Sequence, residues 1–118
     1  MDLIVTPSAD GITRVAVCGE VSQADFVPVD EPLARQVGED DYRATVLVDL
    51  SGVTTLDSSG VGWLLLCQKK IRTAGGMLVL HSLSPFVQQL FRVLKMHLAL
   101  TVVADESAAI EIARRKQT

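Results

Sequence analysis

Short β-branched runs alternate along the chain with stretches whose apolar residues recur at helical spacing, and turn-forming residues separate the two kinds of segment. Leu3-Ile4-Val5-Thr6 and Ile12 to Cys18 read as two strands around a turn from Pro7 to Gly11, with Gly19 closing the second, which makes a hairpin. From Glu20 to Asp30 the pattern is irregular, and Pro28 and Pro32 bar a helix before Glu31. Asp30 then suits an N-cap, with Pro32 in the first turn and Leu33, Ala34 and Val37 as a buried stripe ending at Gly38. Glu39-Asp40-Asp41 reads as a solvated loop, since no nearby histidine or spaced carboxylate completes a metal shell. Ala44 to Leu50 is continuous and β-branched, as a strand buried on both faces should be.

After Ser51-Gly52 and the short apolar run Val53 to Leu56, Asp57-Ser58-Ser59-Gly60 opens a helix through Ala74. Val61, Leu64, Leu65, Ile71 and Ala74 are its expected stripe, and Gly75-Gly76 ends it. Met77 to Leu80 is a further strand. Ser84-Pro85 opens a helix with the stripe Val87, Leu90, Phe91 and Leu94, and Thr101 to Val103 is a last strand. Asp105 caps a final helix, Ala108 to Arg115, whose basic end at Arg114-Arg115-Lys116 complements the helix dipole. The predicted fold class is α/β: a mixed sheet made of an N-terminal hairpin followed by alternating strands and helices, with right-handed parallel crossovers and about four covering α-helices.

The length of 118 residues allows one domain, taken as residues 1–118, and 48% hydrophobic with 21% charged residues is the balance of a chain that buries a core. A net charge of −3 and only five aromatics argue against a nucleic-acid partner. The charge is unevenly spread: residues 1–60 carry eleven Asp and Glu against three Lys and Arg, and residues 61–118 carry three against eight, or −8 and +5. An acidic face would favour a basic protein partner. Cys18 and Cys67 sit in apolar stretches without a second sulfur or a histidine at ligand spacing, so they read as buried, reduced thiols of a cytoplasmic protein, with no metal expected. The N-terminus lacks a basic region and breaks at Pro7, unlike a signal peptide. The uncharged run from Thr73 to Phe91 contains Gly75-Gly76, His81, Pro85 and Gln88-Gln89, so no membrane association is expected.

Two enzyme readings find little support. A hydrolase elbow needs glycine on both sides of its nucleophile, and Ser58 has Gly60 after it but Leu56 before it, with His81 and His97 as the available bases. A phospho-accepting aspartate at Asp49 would need Mg²⁺ held by further strand-end carboxylates, whereas the first strand ends in Thr6-Pro7. The unusual stretch is Asp57-Ser58-Ser59-Gly60-Val61-Gly62 at a helix start. Capping accounts for about 1 kcal/mol of it, but two glycines in a helix each cost about 1 kcal/mol relative to alanine. Small residues at a helix N-terminus leave room for a phosphate, which the dipole and free N–H groups favour, so a phosphorylatable serine fits there.

Val46 to Gly62, with Asp57-Ser58-Ser59-Gly60 at its centre, resembles the signature of the bacterial anti-sigma-factor antagonists of the STAS domain family. Gly19-Glu20-Val21, Gly75 to Leu80, and Leu83 to Val87 followed by Leu90-Phe91 match in the same order, so that the resemblance covers nearly the whole chain.

The resemblance implies a protein switch with no catalysis and no cofactor of its own. Such a domain, unphosphorylated, binds an anti-sigma factor that is also an ATP-dependent serine kinase, and so regulates sigma-factor-dependent transcription by partner switching, as in stress responses. The phosphorylated serine maps to Ser58, and a metal-dependent serine phosphatase reverses the modification. Partner-binding residues carried over are Asp57, Ser58, Ser59, Gly60 and Gly62, together with Glu20 and Ser22 at the end of the second strand. Two positions depart from the family's habit: Ser22 stands where an acidic residue is usual, and Trp63 stands where smaller residues are usual. Trp63 reads either as packed under a loop or as an exposed interface anchor. The alternative function is a STAS scaffold or accessory subunit of a stress-sensing or lipid-transport complex that phosphorylation does not regulate.

Overall fold

In the computed structural model, residues 1–6, 11–22 and 45–117 are described, residues 116 and 117 for their backbone only. The strands are β1 (Asp2–Thr6), β2 (Ile12–Val21), β3 (Thr45–Leu56), β4 (Met77–His81) and β5 (Thr101–Val103). The helices are α1 (Ser58–Thr73), α2 (Pro85–Leu94) and α3 (Glu106–Gln117), with a 3₁₀ turn at Met96–Leu98. Three α-helices thus stand among the described residues where about four were expected in the chain; the helix expected after Asp30 and the acidic loop at 39–41 lie outside them.

The five strands lie in the order β1-β2-β3-β4-β5. β1 runs antiparallel to β2, the expected hairpin, and every later pairing is parallel. The sheet is covered on both faces, so β3 is buried on both sides over Thr45 to Val48. On one face Val46, Val48, Leu50, Leu78 and Leu80 pack against Leu64, Cys67 and Ile71 of α1 and Val87 and Phe91 of α2. On the other, Leu47 and Val79 pack against Ala109 and Ala113 of α3.

Three expectations are corrected. β3 does not stop at Leu50, nor β2 at Cys18: they run side by side to Leu56 and Val21, with register shifts between Ala16 and Cys18 and between Gly19 and Glu20. The shifts let the ladder absorb Gly52, where a side chain would meet Cys18 Sγ at 2.9 Å. The buried stripe of α1 is Gly60, Trp63, Leu64, Cys67 and Ile71, so Leu65 and Ala74 face outward. In α2, Leu94 is likewise exposed while Val87 and Phe91 are buried. The predicted caps hold: the Val87 N–H donates to Ser84 Oγ (3.4 Å) and the Ala108 N–H donates to Asp105 Oδ1 (2.9 Å). Cys67 is buried and Cys18 half-buried, both as free thiols. No described helix is long and apolar enough to cross a membrane.

Candidate functional site

The ends of β2 and β3 create a ledge on which α1 begins. Val21 stands opposite Leu56 at the last register of the pair, and the Asp57 N–H donates to the Val21 carbonyl at 3.1 Å, tying the start of α1 to β2. Asp57 has extended backbone and is the N-cap: its Oδ1 accepts from the Gly60 N–H at 3.0 Å, and its carbonyl accepts from Val61 N–H at 3.1 Å. Ser58 and Ser59 are then the first two helical residues, whose N–H groups precede the intrahelical ladder. Ser58 is exposed and Ser59 half-buried.

The two glycines of this segment have different reasons. A Cβ on Gly60 would lie 2.3 Å from Leu56 Cδ1 and 2.9 Å from Val21 Cγ1, so only glycine lets α1 sit this close to the ledge. A Cβ on Gly62 would meet nothing within 4 Å. Gly62 is exposed one turn after Ser58, on the same side of the helix, and the exposed Leu65 and Leu66 continue that side. The surface is therefore flat at Ser58 and Gly62 and apolar beyond them.

Glu20 is exposed at the end of β2, in register with Thr55, and half-buried Ser22 follows immediately, so both come to the same end of the sheet as Asp57 to Gly62. Trp63 does not join them. At 5% exposure it belongs to the core between α1 and the sheet, which removes it as a surface anchor. The physical reason is its helical position: it shares the stripe of Gly60, Leu64 and Cys67, while Leu65 and Leu66 take the outward positions. The stripe at spacings of three and four from Gly60 was the signal that could have placed Leu65 outside.

The histidines and Asp49 stand elsewhere. His81 is buried beside Asp49, on the sheet face that α3 covers, and its Nδ1 is 2.8 Å from Ser82 Oγ. Asp49 Oδ1 accepts from the Ser51 N–H at 2.8 Å. His97 is exposed on the 3₁₀ turn. Among the described residues no three His, Cys, Asp or Glu side chains converge as a metal site would require.

Against known proteins, a family model described as "Mlab, STAS domain" matches residues 5–103. The chain is 32% identical over 84 residues to BtrV of Bordetella bronchiseptica, a protein named as an anti-sigma factor antagonist, and the match covers 71% of each. A crystal structure from Thermotoga maritima, also named as an anti-sigma factor antagonist, superposes with a TM-score of 0.76 at 19% identity, covering 95% of this chain and 94% of that one. The phosphorylated form of the Bacillus cell fate determinant SpoIIAA superposes with a TM-score of 0.65 at 18% identity, covering 94% and 99%. At such identities the two structural matches speak for the fold.

Proposed function

Because the chain belongs to the STAS domain family, we propose that it is an anti-sigma factor antagonist, binding an anti-sigma factor through the surface around Asp57 to Gly62 and released when a partner serine kinase phosphorylates Ser58. The observation that carries this reading is Gly62. A glycine inside a helix costs about 1 kcal/mol relative to alanine, and the fold gains nothing from it, since the space beside it is open. A bare backbone one turn from an exposed serine suits close approach by another protein.

The name given to BtrV agrees with this role. Phosphate on Ser58 adds about −1.5 to −2 charge, next to the Asp57 carboxylate that the helix N-terminus already fixes. The dipole and the first-turn N–H groups tolerate that charge in the free protein. A partner that has buried the same surface does not, because like charges forced together at an interface cost several kcal/mol. Modification therefore separates the partners and leaves the fold intact. The chain supplies a surface and an acceptor hydroxyl; the kinase brings ATP, and a serine phosphatase restores the hydroxyl. The setting is the cytoplasm, and the output is sigma-factor-dependent transcription.

The test combines intact-mass analysis, with site localisation after incubation with ATP and the anti-sigma kinase, and calorimetric affinities. One phosphate is expected on Ser58 and none on Ser58→Ala. Ser58→Ala should bind the anti-sigma factor like the unmodified chain and Ser58→Asp at least about tenfold more weakly, a difference of about 1.4 kcal/mol. Equal binding by both variants, with no phosphate incorporated, would refute the switch and leave a constitutive scaffold.

A further inference from the structure

Away from the Ser58 surface, the sheet has a notch. β4 begins at Met77, but β5 pairs with it only from Val79, which faces Thr101. Met77 and Leu78 have register partners in β3, namely Thr45 and Val46, and none in β5. The C-terminal part of α1 stands beside the notch on one face of the sheet and the end of α3 on the other. Together they make a groove of about 610 Å³ whose walls include Gln68 and Arg72 of α1, Ile112 and Arg115 of α3, and Met77 and Thr101 of the strands. That volume is in the range of about 300–1,000 Å³ typical of ligand clefts.

Each wall carries one arginine. Arg72 is exposed, and among the described residues no carboxylate lies within ion-pair distance of it. Arg115 is oriented by Glu111, its Nη2 2.5 Å from Oε1, and a guanidinium has five N–H donors to distribute. Exposed Lys69 shares a second depression with Arg72 on the outer side of α1. Basic residues at a helix C-terminus stabilise the helix dipole, which accounts for Lys70 and Arg72 as helix residues. It accounts likewise for Arg115 in the last turn of α3; what marks the groove is that these two helix ends bring their arginines to either side of one open strand edge. The Gln68 side-chain oxygen, in the same wall, is buried and among the described residues accepts no hydrogen bond, a state that favours the arrival of a donor. Half-buried Met77 and Ile112 supply apolar floor between the charges.

We propose that this groove binds an extended acidic peptide segment of a partner protein, which continues the line of β5 past Met77 and sets carboxylates on adjacent residues against Arg72 and Arg115. Adjacent side chains of an extended chain point to opposite faces, and the two arginines stand on opposite faces of the sheet. An open strand edge offers main-chain hydrogen bonds, and the pockets on either side read alternate side chains. A helix, about 10 Å across, is too wide for a space one strand wide. A single-stranded nucleic acid finds no aromatic side chain among the described residues of the groove's walls on which to stack its bases.

Fourteen residues of helix separate Ser58 from Arg72, about 21 Å, so both surfaces can be occupied together, and the groove's failure would be distinct from the failure of Ser58 as a switch. The test is an amide-shift NMR titration of the full chain with a capped heptapeptide that carries a central Glu-Asp pair between β-branched residues. The Gln-Asn version of the peptide and inorganic phosphate serve as competing probes. Saturable shifts should gather at Gln68, Arg72, Met77, Thr101 and Arg115, with Ser58 and Gly62 unmoved. Arg72→Gln should weaken binding about tenfold, and Arg92→Gln should leave it unchanged. The proposal is overturned if the Glu-Asp peptide gives no saturable shifts, if the Gln-Asn peptide binds equally well, or if the shifts centre on Asp57 to Gly62. Phosphate alone reproducing the pattern and displacing the peptide would make it a small-anion site and overturn it as well.

Discussion

Alanine placed at residue 60 and at residue 62 should move stability in opposite directions, although the two positions lie in the same turn of α1. Each substitution gains about 1 kcal/mol of helix propensity. At Gly62 nothing opposes the gain, because a Cβ there has no neighbour within 4 Å, so Gly62→Ala should stabilise the domain by about 1 kcal/mol. At Gly60 the new Cβ would lie 2.3 Å from Leu56 Cδ1, 3.2 Å from Leu56 Cγ and 2.9 Å from Val21 Cγ1. Leu56 is 6% exposed and Val21 1%, so neither side chain has space to turn into. Overpacking of a filled site costs about 1–3 kcal/mol; with two contacts under 3.0 Å the upper end applies, leaving Gly60→Ala destabilised by about 2 kcal/mol. The two variants should then differ by about 3 kcal/mol. Urea unfolding followed by the fluorescence of Trp63, the only tryptophan, reads this as separated midpoints at similar slope. A Gly60→Ala midpoint at or above that of the unmodified chain would mean that Leu56 and Val21 yield freely. A Gly62→Ala midpoint below it would mean that the fold does use that glycine. Either result would defeat the assignment of Gly60 to the fold and Gly62 to a partner.

Two further outcomes come from urea unfolding, read by Trp63 fluorescence for the Asp57 variants and by far-UV circular dichroism for the variant that lacks the only tryptophan. Asp57→Ala removes the acceptor for the Gly60 N–H and should cost about 1 kcal/mol, most of which Asp57→Asn recovers. Trp63→Ala should cost about 3–5 kcal/mol, as for a large aromatic lost from a core; a change within about 0.5 kcal/mol, typical of a surface site, would contradict the buried placement.

What the sequence made legible was what local chemistry decides. The N-terminal hairpin, the cap residues Ser84 and Asp105, and the start of α1 at Asp57-Ser58-Ser59-Gly60 all follow from neighbours in the chain. The full length of β3 does not, since Ser51-Gly52 is a terminator by composition and continues as strand only because β2 lies beside it with Cys18 filling the space over Gly52. The facing of α1 was ambiguous for a related reason. Val61, Leu64 and Leu65 make as good a stripe as Gly60, Trp63 and Leu64, and the choice falls to the ledge of Val21 and Leu56, which requires a glycine against it. The notch beside Met77 has no sequence pattern at all: it arises from where β5 starts relative to β4 and from which helix ends flank the gap.

The ledge has a consequence for timing. The Asp57 N–H is bonded to the Val21 carbonyl and Gly60 is pressed onto Val21 and Leu56, so the segment bearing Ser58 is held at both ends of its first turn. A group added at Ser58 would then act at once, without a lag for rearrangement, and its effect would last as long as the covalent bond that holds it. If Ser58 is the proposed acceptor, memory would reside in ester chemistry rather than in a slow conformer, and the size of a response would follow from how many copies carry the free hydroxyl, a matter of counting molecules rather than of shifting a shape.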